Sequence, residues 1–356
     1  MCFIKHINTT KSDLFGKEIQ MKKLLALVLL LVMTLSMAAC GGSGGNEGGG
    51  GGEKKDDKIT LGFNTNGLTN ETMSFMADVM KKYCDEHGFD FMVAQDDGEI
   101  SKMQNNLENM VAGGCDGIIF MNYDPPAMEK VVLELKEKGI KFVSYDEYSD
   151  VCDYCWHMSN YDTGYAIGQM GGEWVNKAIP EIKDVEIGFI SGDTIQFMID
   201  RGDGIVDGFT DTCKNGCIVY RQPAANMDFL GTYEAILQAH PDVHVFTSVA
   251  GAAVTGVAEA WYGDLVGDGK DVSQYGVFST DATDIELNLI YQAKQGKGVY
   301  RGTIDLGLKD YIPIGMIECL HSAVTGEDFG YPQENWYGLK FVTEDNIEEY
   351  MEYIDA

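Results

Sequence analysis

The sequence predicts an α/β fold of two doubly wound lobes in series, each built around a parallel sheet. Short apolar strands alternate with stretches in which apolar residues recur at helical spacing. The strands are apolar along their whole length, which is typical of parallel sheets covered by helices on both faces. Roughly 300 residues follow a glycine-rich segment, which is enough for two lobes of about 150 residues each.

The first series of elements lies within residues 59–144. Apolar strands are predicted at 59–63, 91–94, 118–121 and 140–144. Between them, apolar residues recur at the spacing of one helix face. These residues are Met73, Met76, Met80, Tyr83 and Cys84, then Met103, Leu107, Met110 and Val111, then Met128, Val131, Val132 and Leu135. Strand and helix therefore alternate in the order that a parallel sheet requires.

A second series begins after Asn160. It opens with a predicted helix lined by Gly164, Gly168, Gly171 and Gly172, whose small size lets the helix approach its sheet closely. Strands are predicted at 185–190, 218–221, 243–247, 275–278 and 299–304, and helices at 229–239, 252–262 and 284–295. This series predicts the second parallel sheet.

Polar residues follow the predicted strands, where ligands of doubly wound sheets bind. They are Asn64, Asn66, Gln95, Asp96, Asp97, Asn122, Asp124, Asp146 and Glu147 in the first lobe, and Asp193, Arg201, Asp281 and Asp305 in the second. Carboxylates accept from hydroxyl groups and arginine donates to several oxygens, so this set predicts a small polyhydroxylated ligand. The same residue types also cap helices and solvate loops, and the pattern leaves both roles open at each position.

An export signal is predicted near the N-terminus. Lys22 and Lys23 precede an apolar run at 24–33, which is followed by small residues up to Cys40 and by a glycine tract. The run is shorter than the ~20 apolar residues of a membrane-spanning helix. We expect translation to begin at Met21, so that residues 1–20 are an upstream mis-start and residues 21–39 are the signal peptide.

The small residues that end at Cys40 resemble the lipobox of bacterial lipoproteins. The resemblance implies that Cys40 carries a lipid, which anchors the protein to the cell membrane on its extracytoplasmic face. An ordinary signal peptide with an incidental cysteine is the alternative. Residues 40–57 are rich in glycine and charge, which predicts a flexible linker between the anchor and the folded region.

The chain is strongly acidic, with 56 acidic residues against 26 basic ones and a net charge of −30 at pH 7. This charge argues against binding to nucleic acid, whose phosphates repel it. It also disfavours adhesion to anionic lipid surfaces. We therefore expect a small-molecule partner and no nucleic acid.

The cysteines and the acidic loops do not predict a metal or a cofactor. Cys152, Cys155 and His157 could supply three ligands, but a closed zinc site needs four and no second pair lies nearby. The acidic residues of 263–271 lack the alternate-residue spacing of a calcium loop. Seven of the nine cysteines remain for the folded region, an odd number, and both plain thiols and local disulfides stay open. The disulfide candidates are Cys152 with Cys155 and Cys213 with Cys217.

From Lys58 to about Val342 the chain resembles the type I periplasmic binding proteins, the sugar-binding components of bacterial ABC importers related to ribose-binding protein. Seven stretches carry the resemblance, in the order that the family has them. They are VSYD at 143–146, SN at 159–160, DRGDG at 200–204, QPA at 222–224, HPDV at 240–243, FSTD at 278–281 and VTGE at 324–327.

The resemblance implies that Asp146, Arg201 and Asp281 contact the ligand and that Asp305 lies near a ligand contact at the hinge. It also implies three crossings between the lobes, near 158–159, near 305 and near 337. The expected N-terminal lobe then comprises 58–158 and 306–337. The expected C-terminal lobe comprises 159–305 and 338–356.

Three departures from the ribose-binding relatives change the expected ligand. Glu147 stands where they carry an arginine, Val249-Ala250 replaces Asn-Asp, and Asn70-Glu71 replaces an aromatic pair. We therefore expect another pentose or hexose, a polyol or an amine-bearing sugar rather than ribose. The predicted contacts are Asn66, Asn70, Glu71, Asp146, Glu147, Arg201, Asp281 and Asp305. Candidate stacking residues, some of which we expect in the core, are Tyr145, Tyr148, Trp156, Phe197 and Phe229.

The expected function is capture of a small carbohydrate between the lobes by a monomer, followed by delivery to an ABC permease. A surface receptor that serves chemotaxis or a sensor kinase is the alternative. An enzyme is not expected, because the sequence has no Gly-x-Ser-x-Gly, His-Glu-x-x-His or Gly-x-x-x-x-Gly-Lys-Ser/Thr motif. The adjacent Asp146 and Glu147 do not form an acid and base pair, because neighbours on an extended chain point to opposite sides.

Overall fold

The computed structural model describes residues 58–193, 195–309 and 311–354, and it confirms the predicted fold class of two α/β lobes with parallel sheets. The predicted translation start, signal peptide, Cys40 and glycine-rich linker lie outside the described residues. Within these described ranges, no helix is long and apolar enough to cross a membrane.

The sheet of the first lobe has six parallel strands in the order β11-β5-β4-β3-β1-β2. Their bounds are β1 (Thr60–Thr65), β2 (Asp90–Gln95), β3 (Gly117–Met121), β4 (Lys141–Asp146), β5 (Tyr154–His157) and β11 (Glu334–Trp336). The order of β1 to β5 is that of a doubly wound sheet. Strands β5 and β11 were not predicted, because they have only four and three residues and no continuous apolar run.

Helices cover both faces of this sheet. They are α1 (Glu71–His87), α2 (Ile100–Ala112), α3 (Pro125–Lys136) and α9 (Ile312–Thr325). Helix α1 begins after Asn70, whose side chain accepts from the backbone N–H groups of Thr72 and Met73 at 2.9 and 3.3 Å. It ends at Gly88 with a φ of 75°, where glycine is strongly favoured. These ends place the start of α1 directly beside the carboxyl end of β1.

The sheet of the second lobe has the order β12-β10-β9-β8-β6-β7. Its strands are β6 (Val185–Ser191), β7 (Cys217–Pro223), β8 (Val243–Ser248), β9 (Gly276–Thr280), β10 (Tyr300–Asp305) and β12 (Lys340–Thr343). Strand β12 runs antiparallel to β10, in contrast to the all-parallel sheet that we predicted. It is a four-residue edge strand with a single fully buried residue, so its sequence lacks the apolar run on which strand prediction depends.

The second lobe contains α4 (Asn160–Ala178), α5 (Gln196–Thr212), α6 (Phe229–Ala239), α7 (Thr255–Gly267), α8 (Asp284–Lys294) and α10 (Ile347–Ile354). Helix α7 ends five residues beyond the predicted 262, so Asp264 lies in a helix and not in a loop. Its carboxylate accepts from the Tyr233 hydroxyl at 2.8 Å. A single 3₁₀ turn, Gly251–Ala253, precedes α7.

Helices α4 and α5 are in direct backbone contact. A Cβ atom on Gly164 would lie 1.8 Å from the carbonyl oxygen of Arg201, and one on Gly204 would lie 2.1 Å from that of Tyr161. The glycine side of α4 was expected to face its sheet; it faces α5 instead. The contact fixes the start of α5, which carries Arg201, against the start of α4.

The chain passes between the lobes at three places. The first passage is at 158–159, between β5 and α4, the second lies between β10 and α9, and the third is at 337–339, between β11 and β12. Strands of each sheet therefore come from separate parts of the sequence. The carboxyl ends of β4 and β9, one in each lobe, lie close to these passages.

Candidate ligand-binding site

Two aspartates occupy matching positions in the two lobes. Asp146 is the last residue of β4, and Asp281 follows the end of β9. Both have a positive φ, 81° and 104°, which is uncommon for residues other than glycine. Such backbone strain persists only where the surrounding structure enforces it, and it clusters at functional sites.

Arg201 lies with these two aspartates. It is 6% exposed, and its guanidinium donates to the side-chain oxygen of Asn160 and, at 2.9 Å, to the carbonyl oxygen of Val249. Burial raises the pKa of both Asp146 and Asp281, and the positive charge of Arg201 opposes that rise in each, which places the three groups in mutual electrostatic range. The structure thus brings together β4 of the first lobe with α5 and the end of β9 of the second.

Burial is the largest influence on the pKa values of Asp146 and Asp281. It raises the pKa of Asp146 to about 6, with Asp281 adding to the rise and Arg201 opposing it. Burial also raises the pKa of Asp281, although Arg201 and a hydrogen bond from the Gly251 backbone N–H at 3.1 Å act against the rise. One guanidinium therefore does not fully compensate the two carboxylates.

Among the described residues, four buried side-chain atoms have no hydrogen-bond partner. They are Nδ2 and Oδ1 of Asn122, Oδ2 of Asp146 and the hydroxyl oxygen of Tyr337. Buried polar atoms in native proteins are nearly always satisfied, so each exception requires an explanation. These three residues follow or end strands β3, β4 and β11 at the carboxyl edge of one sheet, and that grouping indicates a polar ligand there.

Glu147 lies next to this group and is tied to it by Asn160. The Asn160 amide nitrogen donates to Glu147 Oε1 at 2.8 Å, while the amide oxygen of the same residue accepts from Arg201. Burial, followed by the charge of Asp146, raises the pKa of Glu147 to about 7. Glu147 also lines a cavity of about 410 Å³ together with Met158, Ser159, Asn160, Tyr161, Asp200, Asp203 and Asp207.

The other predicted contacts have partners within the protein or lie at the margin. Asn66 is half-buried after β1, and Asn70 caps α1. Glu71 pairs with Lys309 and accepts from the backbone N–H of Asp284 at 3.4 Å. Asp305 accepts from the backbone N–H of Gly307 at 2.7 Å. Of these, Glu71 is the residue that contacts the opposite lobe.

The candidate stacking residues divide between core and surface. Tyr145 is buried and donates to Thr65 Oγ1 at 3.3 Å, and Trp156 is buried against Tyr331. Phe197 lies under the guanidinium of Arg201, with 5.9 Å between the Arg201 Cζ and the ring centre. Phe229 is half-buried, and Tyr148 is 46% exposed.

Several polar residues at strand ends form hydrogen bonds or ion pairs with residues of their own lobe. Asp96 is buried and accepts from Asn64 Nδ2 and from the Tyr123 hydroxyl, both at 2.6 Å. Asp193 forms an ion pair with Arg221 at 2.5 Å. These two carboxylates therefore have structural partners within one lobe, a role that is neither capping nor ligand binding.

The sequence analysis did not predict three residues of the site as ligand contacts. Asn122 stood among the polar residues that follow strands, but nothing in its surroundings separated it from the others. Asn160 was part of a motif without an assigned contact. Tyr337 follows β11, which was not predicted; the resemblance implied a crossing near 337 but no ligand contact there.

The cysteines of the described region, from Cys84 to Cys319, are all free thiols. Cys155 Sγ donates to the carbonyl oxygen of Ser149 at 2.9 Å, and His157 Nε2 lies 3.1 Å from Glu334 Oε1. Across the described ranges, no group of three or more His, Cys, Asp or Glu side chains is arranged to hold a metal ion.

Comparison with known proteins gives a family match over most of the chain. The model of a family described as a periplasmic binding protein domain matches residues 61–308. The xylose/arabinose-binding protein XylF of Sulfolobus acidocaldarius is 24% identical over 267 residues, which cover 71% of this chain and 63% of that protein. The match therefore spans less than two thirds of the length of this relative.

Solved structures share the fold. An ABC transporter periplasmic solute-binding protein of Actinobacillus succinogenes with bound D-allose has a TM-score of 0.67 at 18% identity, covering 82% of this chain and 100% of the other. A carbohydrate transporter solute-binding protein of Agrobacterium radiobacter in complex with D-arabinose has a TM-score of 0.68 at 14% identity, covering 84% and 99%. At these identities the likeness concerns the fold alone.

Proposed function

The chain belongs to the periplasmic binding protein family, and from this membership we propose that it is the substrate-binding lipoprotein of a sugar ABC importer. It captures a small carbohydrate between its two lobes and delivers it to the permease subunits. The proposed ligand contacts are Asp146, Glu147, Arg201 and Asp281 from the sequence prediction, with Asn122 and Tyr337 added from the structure. Asn66, Asn70, Glu71 and Asp305 are proposed to border the site.

The observation that carries this proposal is the group of unsatisfied buried atoms on Asn122, Asp146 and Tyr337. The Asn122 amide offers two N–H donors and a carbonyl acceptor, Asp146 offers an acceptor, and the Tyr337 hydroxyl can donate or accept. Sugar hydroxyls both donate and accept, so neighbouring hydroxyls on one ring can satisfy all of them. The sugars named for the relative and for the two solved structures support the same ligand class.

Binding and closure are coupled in this proposal. Asp146 and Asn122 belong to one lobe, and Arg201 and Asp281 to the other, so only the closed form satisfies both sets of contacts. A ligand that binds the closed form more tightly shifts the equilibrium towards it. Hydrogen bonds to charged groups contribute ~1.5–3 kcal/mol each, so a few of them support affinities near micromolar.

Attachment to the membrane is proposed to depend on Cys40. A lipid on this cysteine and the glycine-rich segment at 40–57 would keep the protein near a permease on the outer face of the cell membrane. The lobes are proposed to act as a monomer.

The test is a thermal-shift screen of pentoses, hexoses and polyols, combined with native mass spectrometry of protein taken from its host. At least one carbohydrate should raise the melting temperature of the protein, and the rise should be lost in Asp281→Asn. Asparagine tolerates a positive φ, so this variant keeps the backbone and removes the charge. Asp150→Asn, an exposed site, is the control. A screen in which no carbohydrate shifts the melting temperature would contradict the proposal.

A further inference from the structure

We propose that the ligand of this cleft is a polyhydroxylated molecule that carries a positively charged amino group, with an amino sugar as the simplest example. The inference rests on the proposed function and names the ligand class of the same site. It follows from the charges that line the cleft and from the kinds of atoms that lack partners.

Three carboxylates and one cation lie at the site: Asp146, Asp281 and Arg201 are in mutual electrostatic range, and Glu147 lines the cavity beside them. Asp146, Glu147 and Asp281 form no ion pair within 4.0 Å in the part of the chain that the structure describes. Arg201 donates to neutral acceptors, the Asn160 side chain and the Val249 carbonyl oxygen. With all three carboxylates ionised, two negative charges remain uncompensated in a largely buried site. Removal of each such charge from water is unfavourable unless an opposite charge is supplied.

The cavity beside Glu147 extends the negative surface outward. Asp200, Asp203 and Asp207 line it, and no lysine or arginine of the described chain does. Arg221 reaches Asp203 and pairs with it, which leaves Asp200 and Asp207 with neutral partners. A surface of one sign attracts ligands of the opposite sign. The cavity beside Glu147 therefore favours an ammonium group over a neutral or acidic one.

The unsatisfied atoms divide into a neutral group and an acidic group. Asn122 and Tyr337 present an amide and a hydroxyl, which match ligand hydroxyls. Asp146 presents a buried carboxylate oxygen without a partner. Its φ of 81° departs from the extended backbone on which neighbouring side chains point apart, and its charge, after burial, raises the pKa of Glu147, so the two carboxylates are in electrostatic range. A ligand with hydroxyls on one side and an ammonium group on the other satisfies both groups.

The raised pKa values of Asp146 and Glu147 support a ligand that carries an ammonium group. Burial raises the pKa of Asp146 to about 6 and that of Glu147 to about 7, so both residues take up protons more readily than usual. A proton and a ligand ammonium group relieve the same excess of negative charge. They should therefore compete, and an amine that binds near pH 7 should release protons from the protein.

The experiment measures dissociation constants at pH 7 for a hexosamine series, glucosamine, galactosamine and mannosamine. The comparison ligands are the parent hexoses, the N-acetylhexosamines, which keep the ring and lose the charge, and putrescine, which has the charge and no hydroxyls. At least one hexosamine should bind ten times more tightly than its parent hexose, its N-acetyl form and putrescine. Calorimetry in two buffers of different ionisation enthalpy should show proton release with this hexosamine.

The variant Glu147→Gln should reduce the preference for the hexosamine over its parent at least fivefold. Asp150→Asn should leave the preference unchanged, and melting curves will verify that both variants fold. Neutral sugars that bind as tightly as their amines would overturn the inference and leave the proposed function intact. Putrescine that binds as tightly as the hexosamine would overturn it as well. If no hexosamine binds while a neutral pentose, hexose or polyol does, the inference fails and the proposed function stands; if none of these carbohydrates binds, the proposed function itself fails.

Discussion

Asp146 shows how a single residue can be shaped for a ligand at the expense of stability. Its backbone has a φ of 81°, its side chain is 3% exposed, and one carboxylate oxygen has no partner. Each of these features costs free energy in the unliganded protein. A residue selected for packing alone would have none of them. The binding role and the destabilising role of Asp146 can therefore be separated by experiment.

The first prediction concerns Asp146→Asn. Asparagine keeps the size of the side chain and tolerates the positive φ, but it removes the charge. The variant should bind the ligand at least tenfold more weakly, because hydrogen bonds to a charged acceptor contribute ~1.5–3 kcal/mol. The free energy of unfolding of the empty protein at pH 8 should rise by roughly 1–3 kcal/mol, since a buried ionised carboxylate is removed. Isothermal calorimetry and urea denaturation measure the two effects. If Asp146→Asn lowers both the free energy of unfolding and the ligand affinity, Asp146 serves the core.

The second prediction is the pH dependence of that stability gain. The pKa of Asp146 in the folded protein, about 6, lies above its ordinary value of 3.8, so the folded state holds a proton that the unfolded state releases. The ionised carboxylate destabilises the folded protein fully above pH 6, and this cost disappears as the pH falls to about 4. The difference in melting temperature between Asp146→Asn and the wild type should therefore be large at pH 7–8 and small near pH 4. A difference that grows towards low pH would contradict this assignment.

At the scale of residues, the family resemblance selected three charged residues that prove to be neighbours, and their contact with a ligand stays a prediction. Asp146, Arg201 and Asp281 follow strands or lie in motifs, and the structure places them together. Asn122 is chemically ordinary, and only its unsatisfied amide separates it from Asn64, which hydrogen-bonds to Asp96. That distinction depends on which atoms of distant segments meet, and no local pattern contains this information.

At the scale of elements, the contact between α4 and α5 determines where Arg201 points. The carbonyl oxygen of Arg201 itself lies where a Cβ of Gly164 would be, so the two helices approach as closely as backbone allows. Because Asn160 begins α4 and holds the Arg201 guanidinium, the same helix pair fixes both ends of this residue. The glycines therefore serve the site as well as the fold.

The third prediction concerns Gly164→Ala. The added Cβ would lie 1.8 Å from a backbone oxygen, so α4 and α5 must separate. The free energy of unfolding should fall by at least about 2 kcal/mol, and ligand affinity should fall because Arg201 moves. Gly256→Ala in α7 is a matched control, since no atom lies within 4 Å of its added Cβ. The free energy of unfolding of Gly256→Ala should stay the same or rise by up to about 1 kcal/mol, because alanine favours a helix more than glycine does. Equal effects of both substitutions would contradict the packing argument.

The sequence analysis predicted most strands and the other long helices, but it assigned no helix to α5 or α9 and missed the short strands at the sheet edges. Strands such as β3, with five buried residues, have an apolar run that a local reading detects. Strands β5, β11 and β12 have three or four residues and are held by pairing with distant segments. The direction of the glycine face of α4 was also wrong, because spacing shows that a close contact exists and does not show what the partner is.

At the scale of the whole molecule, the two lobes are joined by ion pairs as well as by the chain. Lys309 lies on the passage between β10 and α9, and its ammonium group pairs with Glu71 of α1 in the first lobe. The same group lies 2.9 Å from Asp284 of α8 in the second lobe. The Lys309 side chain is 19% exposed and its ammonium nitrogen lies 5.9 Å from the ring centre of Phe75. These contacts exist only when α1 and α8 are close together, as they would be in the proposed closed form.

The last prediction is that Lys309 contributes to closure without contacting the ligand. Lys309→Met keeps the apolar stem beside Phe75 and removes the charge that links Glu71 and Asp284. Partly exposed ion pairs contribute up to about 1 kcal/mol each, so the closed fraction should fall and the ligand should bind roughly two- to tenfold more weakly. The radius of gyration of the unliganded variant, measured by X-ray scattering, should increase, while saturating ligand should restore the wild-type value. Lys102→Met is the control, because Lys102 pairs with Asp97 inside the first lobe. If Lys309→Met changes neither the affinity nor the radius, the ion pairs across the cleft do not influence closure.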